Sequence, residues 1–119
     1  MSEHQERLQS ARRRLEAARL LLRNEFAPDA MSRLYFGVLE SARALLLLRD
    51  LEPKTHKGIG LKLGQHFREQ VDVGLLTKLR QNREEADYRL RVPDAQEVER
   101  QVERAERFIE AAASRIEER

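Results

Sequence analysis

Arg83, Asp87 and Tyr88 lie close together in the stretch NREEADYRL, residues 82–90, and their side chains suit phosphate chemistry. At helical spacing Arg83 and Asp87 share a face, with Tyr88 beside Asp87. A guanidinium offers a planar fork of N–H donors that matches phosphate oxygens. A carboxylate can orient that fork or accept a hydrogen bond from a hydroxyl. A phenol can stack on a base or bond to phosphate. The same (i, i+4) spacing also describes an ordinary surface ion pair worth about 0.2–0.5 kcal/mol. The residue types alone leave both readings open.

A second cluster is KTHKG, residues 54–58. Lys54, His56 and Lys57 stand just before a glycine and the expected start of a helix. Backbone N–H groups at such a start attract anions, and flanking cations add to the attraction. Lys54, His56, Lys57 and Arg83 are therefore candidate phosphate-binding residues. The competing reading is a polar turn in which Thr55 caps the helix. His56 and His66, with Glu69 beyond, do not form a zinc spacing, so no metal site is expected. His4 falls in an expected frayed terminus. There is no HExxH, no phosphate-binding glycine loop and no nucleophile elbow, and no cofactor is implied.

Helices must position these groups. From Glu3 to Glu25, Leu8, Ala11, Leu15, Ala18 and Leu22 recur at steps of three and four, the stripe of an amphipathic helix. Pro28 restricts Ala27, and Asp29 is the expected N-cap of a second helix, Ala30 to Arg49. That helix carries Leu34, Val38, Ala42 and Leu45, widened by Tyr35, Leu39 and Leu46. A stripe this wide suits packing on two sides and leaves room for a dimer interface. The stretch DLEPKTHKGIG interrupts this helix, with Pro53, Gly58 and Gly60 as breakers, and a short third helix is expected between Thr55 and Arg68, with Ile59, Leu63 and Phe67 inward. A fourth helix, Val73 to Leu90, presents Leu75, Leu76, Leu79 and Ala86. Asp94 is the expected cap of a fifth, Ala95 to Glu118, with Val98, Val102, Ala105, Ile109, Ala112 and Ile116 inward. The narrow stripes of the first and fifth helices predict that they pack together. No strand-like alternation occurs. The expected fold is all-α, an antiparallel up-and-down bundle of four main helices plus one short one, as a single domain over residues 1–119.

Composition bounds the rest. The 119 residues include 37% charged and 5% aromatic side chains, which fits a thin Leu/Ala core under a charged exterior. Arginine supplies 19 of the 23 basic side chains, and the net charge is only +2. Blanket binding of nucleic acid through net charge is therefore not expected, and any basic site must be local. With no cysteine there is neither a disulfide framework nor a thiolate metal site. The N-terminus lacks the apolar core of a secretory signal, and ALLLL, residues 44–48, is too short to span a bilayer. The expectation is a soluble cytoplasmic protein with no membrane partner.

Three blocks taken together, DAMSRLYFGVLESARALLLL (29–48), EPKTHKG (52–58) and REEADY (83–88), resemble the HEPN superfamily, and more narrowly the small prokaryotic UPF0332 group. The resemblance spans nearly the whole chain. It implies a helical bundle that forms a homodimer. It also implies a place beside a minimal nucleotidyltransferase in a toxin–antitoxin-like pair. Many such proteins are metal-independent ribonucleases with an arginine followed, after four to six residues, by a histidine. From Arg83 a gap of four lands on Tyr88; gaps of five and six land on Arg89 and Leu90. The arginine is present and the histidine is not. Arg49 and His56 satisfy the spacing formally, but in the turn after the second helix. The resemblance makes Arg83, Asp87 and Tyr88 the candidate catalytic set, with Tyr88 a candidate acceptor of transferred nucleotide. His56 is placed to meet the Arg83 region in space.

Two functions follow. One is a nucleotide- or RNA-binding partner of a minimal nucleotidyltransferase, with metal-independent RNA cleavage as its chemistry. The other is a non-catalytic dimeric helical adaptor that holds a partner protein. The position of the Arg83 guanidinium separates them.

Overall fold

A computed structural model describes residues 2–88 and 93–117. Five helices follow in order: α1 Glu3–Arg23, α2 Ala27–Leu47, α3 His56–His66, α4 Leu75–Tyr88 and α5 Ala95–Glu117. There is no strand among the described residues. The bundle measures 39 × 25 × 22 Å.

Helix α2 is the hub. Leu34, Val38, Ala42, Leu45 and Leu46 are all fully or almost fully buried, and Tyr35 and Leu39 nearly so. Helices α1, α3, α4 and α5 all pack on α2. Its wide apolar coverage is thus taken up largely by the other four helices. Gly37 lets α1 approach closely: a Cβ there would lie 3.4 Å from the Ala11 carbonyl oxygen and 3.5 Å from the Arg14 Cβ. Helices α1 and α5 also pack together, as their stripes predict. Arg12 reaches Glu110 and Glu117, and Arg19 pairs with Glu106 along that seam. These pairs are partly exposed and contribute little each.

Helix boundaries differ from the expected ones where local chemistry intervenes. Helix α1 opens on a capping box between Ser2 and Gln5, so His4 lies in an ordered first turn rather than a frayed end. It stops at Arg23, two residues early, and Glu25 takes a positive φ of 67°. Helix α2 starts at Ala27, before Asp29. Pro28 is tolerated in the first turn because its missing N–H has no intrahelical role there. Asp29 therefore acts on the helix dipole from within the first turn instead of capping it. Asp94 does cap α5, its Oδ1 accepting from the Gln96 N–H at 2.8 Å.

Helix α4 differs most. It begins at Leu75, and the expected Leu90 end lies outside the described residues. Ala86 is only half-buried; Asn82 takes the inward position. The Asn82 Oδ1 accepts from the Gln101 side-chain amide at 3.2 Å, a buried polar tie between α4 and α5.

Because the hub carries the core, Leu45→Ala should cost about 2–5 kcal/mol in urea unfolding. Leu20, which is 55% exposed, should lose less than about 0.5 kcal/mol on the same change. Equal losses at the two positions would show that the core is not centred on α2.

Candidate functional site

Tyr35 organises the site. It lies on α2, 7% exposed, with its ring edge-on to Phe36 at 5.1 Å between centroids. A buried phenol hydroxyl needs a partner. That partner is His56, whose Nδ1 lies 3.3 Å from the Tyr35 hydroxyl, and whose ring stacks on the tyrosine at 6.0 Å. The other imidazole nitrogen, Nε2, is 3.5 Å from the Thr77 hydroxyl on α4. One histidine thus ties the start of α3 to both α2 and α4.

Arg83 comes to the same ring from α4. Its guanidinium carbon lies 5.6 Å from the Tyr35 centroid and 5.1 Å from the Phe36 centroid. Both contacts are within cation–π range. Its side chain is 25% exposed. The Nε is buried without a hydrogen bond, and the nearest carboxylate oxygen, Asp87 Oδ2, stands 3.6 Å away. That separation is an ion pair but too long for a hydrogen bond. Among the described residues, no oxygen accepts a hydrogen bond from this guanidinium. Aromatic faces, rather than a carboxylate fork, hold the cation.

Other charges flank the cluster. Arg80 pairs with Glu84 at 3.2 Å on the same helix. Burial is the main cause that pushes the His56 pKa below its ordinary 6.5; the Arg80 cation adds to the shift and Glu84 opposes it. A neutral imidazole at neutral pH can accept a proton.

The candidate residues separate into groups. Arg83 and His56 converge on Tyr35, as the sequence allowed. Asp87 sits at the exposed edge beside Arg83, and Tyr88 is 73% exposed to solvent. Lys57 and His56 line an open groove of about 570 Å³ between α3 and the start of α4. Lys54 instead faces a separate cavity of about 170 Å³ with Arg7 and Arg43. The residues of KTHKG therefore do not form one anion nest. Thr55 caps α3, its Oγ1 accepting from the Gly58 N–H at 2.9 Å, so that donor is already engaged. The formal Arg49–His56 pair is also split: Arg49 lies over the Phe67 ring at 5.5 Å while His56 engages Tyr35.

Tyr35, Phe36, Thr77 and Arg80 do not stand out in the sequence as site residues. Tyr35 counts there only as part of an apolar face. The available signal is its hydroxyl, which a core position obliges to find a polar partner.

A family model described as HEPN domain matches residues 4–116. The chain is 32% identical over 116 residues to a Methanocaldococcus jannaschii protein named "Putative toxin", covering 93% of this chain and 87% of that protein. It is 32% identical over 117 residues to a "UPF0332 protein" of Thermotoga maritima, covering 91% and 86%. A "UPF0332 protein" of Pyrococcus horikoshii is 37% identical over 65 residues, 55% of this chain and 44% of that one.

The lowered His56 pKa has a stability consequence. Above pH 6.5 both folded and unfolded chains hold this histidine neutral. As the pH falls from 6.5 through the lower folded value, the unfolded chain takes up a proton that the folded chain resists, so stability drops. Between pH 7 and pH 5 the wild-type Tm should fall further than that of His56→Asn. Parallel falls would mean that the imidazole is not held neutral by the fold.

Proposed function

We propose that this chain, which belongs to the HEPN domain family, is the toxin-like member of a pair with a minimal nucleotidyltransferase and binds RNA or nucleotide phosphate at the Arg83–Tyr35–His56 cluster. The observation that carries the reading is the Arg83 guanidinium, laid across two aromatic rings with no hydrogen-bonded carboxylate among the described residues. An arginine so placed has donors uncommitted to those residues. The name of the Methanocaldococcus jannaschii relative supports the toxin-like half of the reading. The resemblance to HEPN proteins supports the nucleotidyltransferase partner and the homodimer.

The chemistry that suits this cluster is metal-independent RNA cleavage. It needs a base for the 2′-hydroxyl, a cation for the charge on the pentacoordinate phosphorus, and a proton for the departing 5′-oxygen. Neutral His56 is the base in this reading, and Arg83 stabilises the phosphorane. The 2′-oxygen attacks phosphorus, the 5′-oxygen leaves, and the proton comes back from the imidazolium or from water. His56 thus takes the role that the residues after Arg83 lack. Tyr35 orients His56 through Nδ1. Asp87 and Tyr88 lie at the outer edge, where they can meet the ribose or base, with Tyr88 exposed enough to receive a transferred nucleotide. Lys57 adds positive charge on the groove side, and Lys54 does so from its separate cavity.

A second reading, the dimeric helical adaptor for a partner protein, is favoured by one observation: Arg83 is three-quarters buried. In that case the cation–π contacts serve to pin α4 on α2.

Incubation of purified protein with labelled RNA in EDTA separates the two. Wild type should bind and cleave. Arg83→Ala should bind about 10- to 100-fold more weakly, as removal of a charge-assisted hydrogen bond of about 1.5–3 kcal/mol implies, and should not cleave. Wild type that neither binds nor cleaves, while Arg83→Ala loses stability, would leave the adaptor.

A further inference from the structure

The groove between α3 and the start of α4 has features that the Arg83 cluster does not use. At about 570 Å³ it is of the size that takes a nucleotide-sized ligand. His56, Lys57 and Arg68 line it, and no acidic side chain does among the described residues. With His56 neutral, the groove's positive charge comes from Lys57 and Arg68, on a protein whose net charge is only +2. Lys57 stands before Gly60 on α3, and Arg68, past the end of that helix, folds back so that its Nε donates to the Gly64 carbonyl at 3.3 Å. The two cations thus lie on either side of Gly60 along the groove. Its floor is open at Gly60, where an added Cβ would meet nothing within 4 Å. Leu61, 59% exposed, gives it an apolar flank.

His56 belongs to both places. Its Nδ1 faces Tyr35, on whose ring Arg83 lies, and its Nε2 side lines the groove with Thr77. The groove is therefore the continuation of the Arg83 cluster past one shared imidazole.

We infer that the α3–α4 groove is a track for a single-stranded phosphodiester backbone, with Lys57 and Arg68 holding phosphates on either side of the Gly60 floor. The inference takes from the proposed function only that the ligand is an oligonucleotide. Cations on either side of that floor match a repeating anion better than a single one. A glycine floor lets the strand approach the helix backbone, and the Leu61 flank offers an apolar surface to a base or ribose face.

Fluorescence anisotropy with a labelled oligouridine decamer, and with its deoxyuridine counterpart, tests this directly. Gly60→Glu places a carboxylate in the groove where there is room for it. Glycine is the weakest ordinary helix former, so the Tm should hold or rise. Affinity for the decamer should fall at least tenfold. In the Lys57→Ala/Arg68→Ala double variant, the slope of log affinity against log salt should shrink by about 1.4, roughly 0.7 for each single-strand phosphate no longer neutralised. The ratio of RNA to DNA affinity tells which strand the track prefers. Weakened binding by Gly60→Glu with full binding by Arg83→Ala would keep the groove and remove the Arg83 site. Weakened binding by Arg83→Ala with full binding by a folded Gly60→Glu would overturn the groove alone. Failure of the wild type to bind either decamer, or its binding a polyglutamate peptide instead, would overturn the track.

Discussion

A tyrosine hydroxyl on the hub of a helical bundle has to be satisfied from inside the protein, and the site of this molecule is built on that need. Tyr35 is nearly buried, and its hydroxyl finds His56. The imidazole then has a second nitrogen to satisfy, which it directs toward Thr77. Two contacts thus fix the first residue of α3 against α2 and α4 at once. Helix α3 needs such a tie. It is 11 residues long with three glycines, and packs on α2 through little more than Ile59 and Leu63. Without His56 it would have only its Thr55 cap and those few apolar contacts to hold its direction.

The aromatic pair does a second job. The proposed function asks that Arg83 be kept near the site without being neutralised there. A carboxylate at hydrogen-bond distance would fix the guanidinium but engage the donors a phosphate needs. Ring faces attract the cation through the quadrupole while leaving N–H donors at the guanidinium edge uncommitted. Asp87, at 3.6 Å, is close enough to bias the orientation and too far to take a full hydrogen bond. The Nε itself is buried without a hydrogen-bond partner among the described residues.

The fold was legible because helical burial imposes a period that survives in the residue string. The six inward positions expected of α5 are all buried, and so are the seven expected of α2. The ends were less legible because capping is decided by single residues: Pro28 pulled the start of α2 ahead of Asp29, and Ser2 with Gln5 ordered a terminus expected to fray. The site was half legible. Arg83 and His56 stood out by type. What joins them did not, because Tyr35 fits an apolar stripe as well as leucine would, and only its hydroxyl marks it as different. A string also cannot show that Lys54 and His56, two residues apart, face different cavities. A turn sends neighbouring side chains in directions that periodicity does not fix.

The placement of the histidine bears on what a bundle of this kind can do. When arginine and histidine sit on one helix, their separation is fixed by the rise of that helix. Here they stand on different helices, α4 and α3, and their relation is fixed by a third, α2. Such an arrangement depends on packing rather than on local spacing, so it responds to anything that moves α3. It also leaves one nitrogen of the histidine turned to a groove that the arginine does not occupy. The short, weakly packed helix α3 therefore sets where the imidazole stands relative to the guanidinium, and His56 anchors it through Tyr35 and Thr77.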